Sequence, residues 1–287
     1  MRRRSILIFL VAAASLVHAQ QQAPRRIVST APSFTETLFA LGAGQRVVAV
    51  STFCHYPPEA DKLPRIGTYL TPNIEAIARL RPDLVLAHAE QAQQNAQMKR
   101  LGLNVLALRN TTLADTMQSI QLTGEAIGAS AQAKALEQQI RARFAAIEKA
   151  SQGKPRRTLL FIVGRTPGRL EGVIAVGKGS YLNALIRIAG GRNVLDDSPV
   201  AYPHLSMEGI LRLNPDVIVD MGDMSVTENV TKAHIDAVRK LWDTQRGKIR
   251  AVRENRLFPV AADIFVVPGP RVAEAAEAFQ RMLFPSS

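Results

Sequence analysis

The sequence predicts an α/β protein of two lobes, each built on a parallel sheet, joined by one long helix. Three observations lead there. Strand and helix patterns alternate twice, once before residue 129 and again after residue 156. The stretch IEAIARLRPDLVL at 74–86 returns as MEGILRLNPDVIV at 207–219, with six of thirteen positions identical. Between the two halves, 130–151 contains neither Gly nor Pro.

The chain opens on a leader. Arg2, Arg3 and Arg4 precede an apolar run from Ser5 to Val17, and Val17-His18-Ala19 offers small residues for cleavage. This is the pattern of a secretory signal peptide over 1–19, and about thirteen apolar residues are too few to cross a bilayer. No Cys follows the run, so lipid attachment at that point is not supported. The 268 residues that remain of 287 are enough for one large or two medium cores. The formal charge of +12 becomes +9 without the leader arginines. A basic surface often marks nucleic-acid binding. Here the arginines are scattered and the chain is exported, so the charge reads as solubility and attraction to anionic surfaces or ligands, with no nucleic-acid partner. The one Cys, Cys54, allows no internal disulfide and is expected to be a small buried hydrophobe.

Each element follows from a local signal. Ile27-Val28 is a short strand. Ser33 caps a helix, with Glu36 completing a capping box, and Phe34, Leu38 and Leu41 share one face. Gly42 and Gly44 stop it. The run 46–51 is the next strand, which closes a βαβ unit with parallel strands. Pro57, Pro58, Pro64 and Pro72 then keep the chain in loop. Thr71-Pro72 starts a helix that turns Ile74, Ile77 and Leu80 inward. Pro82 ends it and biases Arg81 to extended geometry. The run 83–87 is a buried strand, followed by helix 91–101, strand 104–108 and helix 113–127. The stretch 130–151 reads as one helix, roughly 33 Å long, with Leu136, Ile140, Phe144 and Ile147 as its apolar stripe. It makes a stiff linker. Beyond it come strand 158–164, a glycine-containing loop at 164–179, helix 179–191, helix 206–214, strand 215–220, strand 256–261 and a closing helix over 268–284. The expected parts are a leader 1–19, an N-terminal lobe 24–129, a linker helix 130–152 and a C-terminal lobe 156–287.

Enzyme signatures are missing: there is no G-x-S-x-G, no H-E-x-x-H and no Walker-type loop, so no catalysis is expected. The repeated stretch carries matched acids, Glu75 and Glu208. Each falls in a first helical turn, where the helix dipole favours an anion, and each has an arginine four residues on, Arg79 and Arg212. Those are sufficient structural reasons; the functional alternative is that two exposed acids, one per lobe, dock on two basic sites of a partner. Aromatic and His residues gather on loops after strands: Phe53, His55 and Tyr56; Tyr69; His88; Tyr202 and His204; Phe265. In α/β lobes ligands bind outside the carboxyl ends of the strands, and two such edges facing each other suit a large, flat or apolar-faced ligand. His55, His88, His204 and Asp263 form an alternative metal-ion set, although no two His have helical ligand spacing.

The stretches 25–87, GKGSYLNALIRIAGGRNV and LSMEGILRLNPDVIVD together resemble the periplasmic substrate-binding proteins of ABC importers for cobalamin, ferric siderophores and haem. The cobalamin branch is the nearest. The resemblance covers nearly the whole chain after the leader. It implies two Rossmann-like lobes joined by one backbone helix, with the ligand in the interlobe cleft and no cofactor beyond that ligand. It implies a periplasmic monomer that delivers cobalamin, or another large metal chelate, to an inner-membrane ABC permease, docking through Glu75 and Glu208. By motif position it assigns Phe53, Tyr69, His88 and Tyr202 to the ligand, with the segment that starts at Asp263 and continues through Ile264 and Phe265; Tyr56 joins them from the aromatic loop group. Tyr69, His88 and Tyr202 stand where the enterobacterial cobalamin binder commonly has tryptophan. Thr68 holds the place of the haem binders' Tyr ligand, and Arg165, Arg169 and Arg271 are candidate cleft arginines for a ferric siderophore.

Overall fold

A computed structural model describes residues 23–222 and 231–285. The leader lies outside the described residues. Among those described, no helix is long and apolar enough to cross a membrane.

The first lobe runs β1 (Ile27–Ser29), α1 (Pro32–Ala40), β2 (Val47–Val50), α2 (Ile74–Arg79), β3 (Leu84–His88), α3 (Ala92–Arg100), β4 (Val105–Leu108) and α4 (Leu113–Ala126). Its strands are all parallel, in the order β2-β1-β3-β4. Helix α5 (Ser130–Ser151) follows, 22 residues without a break. The second lobe runs β5 (Thr158–Gly164), β6 (Val173–Ala175), α6 (Tyr181–Ile188), β7 (Arg192–Asn193), β8 (His204–Leu205), α7 (Met207–Leu213), β9 (Val217–Asp220), α8 (Lys232–Asp243), α9 (Arg250–Arg253), β10 (Leu257–Pro259) and α10 (Val272–Leu283).

The repeated stretch occupies one topological place in both lobes. Strands β7-β5-β9-β10 pair in parallel, which is the β2-β1-β3-β4 order again, with β9 standing for β3. The likeness extends to the details. Asn73 and Ser206 cap the two helices by accepting from Ala76 N and Gly209 N at 2.9 and 3.1 Å. Arg81 and Asn214, each directly before a Pro, are left-handed at φ 47° and 41°. Asp83 Oδ2 accepts from Arg25 N and Arg26 N just ahead of β1, at 2.7 and 2.9 Å. Asp216 Oδ2 accepts from Thr158 N at the start of β5, at 2.8 Å. The shared Pro-Asp therefore ends a helix and pins the neighbouring strand.

Four expectations change. The second sheet is mixed: β6 pairs antiparallel to β5, and β8 antiparallel to β6. The connection of eight residues between β5 and β6 is too short for a crossover, so a hairpin forms inside what the sequence showed as loop. Ser33 caps nothing; Pro32 takes the first helical position, Ala31 is the N-cap, and Ser33 and Glu36 are buried inside α1. Asn73, not Thr71, caps α2. Arg81 escapes the clash with Pro82 through the left-handed region, as the first residue past the helix end, instead of extending.

The strands sort their side chains with period two. Leu84 and Leu86 of β3, and Leu159, Phe161 and Val163 of β5, face one common core. Val85 and Ala87 face a cluster private to the first lobe, and Leu160 and Ile162 one private to the second. The common core continues from Phe34 and Leu38 of α1 through Ile140, Phe144 and Ile147 of α5 to Val272 and Phe279 of α10. The two lobes thus share one hydrophobic centre, and α5 is part of it.

Candidate ligand-binding cleft

Parallel strands bring their carboxyl ends to one edge of each lobe, and the aromatic residues lie there. Seven large hydrophobic side chains are exposed among the described residues, and six of them are Phe53, Tyr56, Tyr69, Leu70, Val200 and Tyr202. Leu70 and Val200 were not foreseen; an apolar residue in a Pro-broken loop was the available signal. The rings on the first lobe form a series. Phe53 and Tyr69 lie 6.4 Å apart, Tyr69 and His88 5.8 Å, and His88 and the buried Phe34 4.8 Å. Burial pushes the His88 pKa down, against a smaller upward pull from Glu90, so its imidazole is neutral at pH 7. In the second lobe, Ser180 Oγ, at the N-cap of α6, donates to Tyr202 Oη at 3.1 Å. The adjacent Tyr181 N donates across the lobes to Thr111 O at 2.9 Å.

The segment 263–265 divides. Phe265 is 2% exposed and packs on Phe161 and Phe279 at 5.5 and 5.2 Å, so its ring belongs to the core and is not offered to a ligand. Ile264 is half-buried against the same core. Asp263 takes part in a second feature that the sequence did not show. Arg271, just ahead of α10, donates from Nε and Nη2 to the two Oε atoms of Glu36, at 3.0 and 2.5 Å. It also donates from Nη1 and Nη2 to the two Oδ atoms of Asp263, at 3.2 and 2.6 Å. Its guanidinium lies 3.9 Å from the centre of the Tyr56 ring. Burial pushes the Glu36 pKa up to about 7 against the lowering effect of Arg271. The two carboxylates push Arg271 upward despite its own burial. An acid within the otherwise apolar and hydroxylic α1 sequence was the signal for Glu36; its partner lies 235 residues away.

The other candidates are placed as follows. His55 Nδ1 pairs with Asp61 at 2.9 Å, His88 sits in the ring series, and His204 is exposed on β8. Among the described residues no three His, Cys, Asp or Glu are gathered to hold a metal ion. Arg165 is buried and pairs with the fully buried Asp220 at 3.0 Å, while Trp242 Nε1 donates to the same carboxylate at 2.6 Å. Arg165 is thus a core residue, not a cleft arginine. Arg169 forms an exposed pair with Glu171 at 3.6 Å. Cys54 is buried, within 3.2 Å of the Ser51 and Thr35 hydroxyls, and burial pushes its pKa up. Glu75 and Glu208 are exposed, and neither makes an ion pair or side-chain hydrogen bond with a described residue, including Arg79 and Arg212.

The profile of the periplasmic binding protein family matches residues 27–263. The chain belongs to this family. Its members bind substrates for transport. The chain is 30% identical over 272 residues to an uncharacterized ABC transporter substrate-binding lipoprotein, YvrC, of Bacillus subtilis, covering 92% of this chain and 81% of the relative. It is 28% identical over 276 residues to the vitamin B12-binding protein of Photorhabdus laumondii, covering 95% and 92%. The solved vitamin B12-binding protein BtuF of Vibrio cholerae superposes with a TM-score of 0.76 at 25% identity, covering 91% of this chain and 97% of that one. Solved periplasmic haem-binding proteins match at a similar level. The family implies an ABC permease as the partner.

Proposed function

We propose that this chain is the periplasmic solute-binding component of an ABC importer and that it takes cobalamin between its lobes. The observation that carries the ligand is the ring series Phe53–Tyr69–His88 on the strand-end edge, with Phe53 and Tyr69 exposed and His88 half-buried behind them. Tilted and edge-on rings that line one edge suit a broad, flat macrocycle. The vitamin B12-binding relatives support the same reading. The ligand contacts are Phe53, Tyr56, Tyr69, His88 and Tyr202, with Asp263 and Ile264 at the rim; Glu75 and Glu208 are the permease handles. The working parts are a cleaved leader 1–19, a lobe 24–129, a linker helix 130–152 and a lobe 156–287, acting as a monomer without chemistry or a cofactor of its own. Haem or a ferric siderophore is the second reading, favoured by the solved haem-binding proteins of the same fold. Calorimetric titration with cyanocobalamin is the test. Heat with a stoichiometry of one supports cobalamin; no heat, with a Soret shift on adding haemin, transfers the site to haem.

A further inference from the structure

Arg271 ties the lobes together by side chains. Four of the five guanidinium N–H donors are used, two toward Glu36 of the first lobe and two toward Asp263 of the second. The Tyr56 hydroxyl makes no hydrogen bond with a described residue, so the guanidinium is the polar anchor for its ring. Beside this contact runs a groove of about 490 Å³ between Phe39, Tyr56, Pro57 and Pro270, which admits water to the edge of the pair. A Cβ on Gly269 would come within 3.4 Å of Ser33 Cα, so the backbones of the two lobes touch next to Arg271.

We propose that Glu36 and Arg271 are positioning residues of the ligand cleft: a clasp that holds Tyr56, from one lobe, and Asp263, from the other, in the arrangement the ligand meets. The proposal rests on reading Tyr56 and Asp263 as ligand contacts. Neither clasp residue needs to touch the ligand. A Lys in place of Arg271 supplies a point charge but no fork, so it cannot make both bidentate pairs at once.

The charge of the clasp gives it a signature. Two carboxylates and one guanidinium leave one negative charge in excess, in a place where burial penalises it. Glu36 is faced by Arg271 and Glu274 of the α10 region, by Asp263, and by Tyr181 of α6, with Glu59 along the groove. The closed clasp therefore keeps a proton on Glu36 up to about pH 7, whereas an opened clasp exposes Glu36 to water and releases it near 4.5. Raising the pH from 6 to 8 weakens the closed form about tenfold relative to the open one.

Hydrogen exchange over 52–60 and 263–271 reads this without any ligand. In the wild type, protection of both segments, corrected for intrinsic rates, is expected to fall about tenfold from pH 6 to 8, and Glu36→Gln should abolish that fall. Arg271→Ala should deprotect both segments while β3 and β5 stay protected, and should weaken cyanocobalamin binding tenfold or more. Arg271→Lys should lie between Ala and wild type in both measurements. Unchanged protection of 52–60 in Arg271→Ala overturns the clasp. If that variant does not fold, a wild-type profile that is flat with pH, or that matches Glu36→Gln, overturns it instead. A wild type that binds neither cyanocobalamin nor haemin removes the ligand assignment, and the exchange data still decide whether the lobes are clasped.

Discussion

Glu36→Gln has a consequence for the stability of the whole fold that can be worked from the structure. Glu36 is 3% exposed. Its pKa rises from 4.5 in water to about 7 in the folded chain, chiefly through burial. At roughly 1.4 kcal/mol per pH unit, that rise is worth about 3 kcal/mol. The sign follows from proton binding. Between 4.5 and 7 the folded chain holds the Glu36 proton more tightly than the unfolded one, so stability falls as pH rises. The contribution is complete below 4.5 and lost above 7. Gln keeps an acceptor for Arg271, leaves the Arg271–Asp263 pair neutral, and does not titrate. The difference in unfolding free energy between wild type and Glu36→Gln should therefore move by about 3 kcal/mol in favour of the variant from pH 4.5 to 8. Urea unfolding at four pH values across that range measures it, with titrating groups remote from Glu36 cancelling in the difference. A difference independent of pH would show that Glu36 is ionised throughout, and the account of the buried excess charge would fail.

Three further outcomes are expected. Tyr69→Ala should weaken cyanocobalamin binding about tenfold, near 1.4 kcal/mol for one lost stacking ring. Because Tyr69 is exposed, the melting temperature should stay unchanged; a fall in stability instead would make the ring a core element. Asp220→Ala strands the buried Arg165 and the Trp242 N–H, and should cost about 3–5 kcal/mol by urea unfolding; a loss below about 1 kcal/mol would mean the pair is solvated. Glu75→Lys and Glu208→Lys should each spoil transport in cells while leaving cyanocobalamin affinity intact; a matching loss of affinity would make the repeated acids architectural.

Some of this was legible locally and some was not. Helix α5 could be read from 130–151 because a Gly- and Pro-free stretch with one apolar stripe carries its structure in its own residues. The helix and strand of the repeat at 74–86 and 207–219 could be read because their signals are local: the Pro stops a helix and the aliphatics fill a strand, whereas the Asp holds a strand start 58 residues away. The capping box at Ser33 and Glu36 misled because its pattern is satisfied by spacing alone. Pro32 claimed the helix start, and Glu36 went to a guanidinium 235 residues away. Phe265 misled in the opposite direction: it follows a strand, as a ligand contact would, yet Phe161 and Phe279 complete its surroundings. Strand β6 has three residues, too few for a period to show. What the sequence cannot carry is pairing between distant positions, and the clasp and the Arg165–Asp220 pair consist of little else.

The most direct test is the absorption spectrum of the protein isolated from its own host. A chain that captures cobalamin in an aromatic cleft should come out coloured, with corrinoid bands at one equivalent that disappear on denaturation and return on adding cyanocobalamin. A colourless protein that takes up neither cyanocobalamin nor haemin would contradict the account.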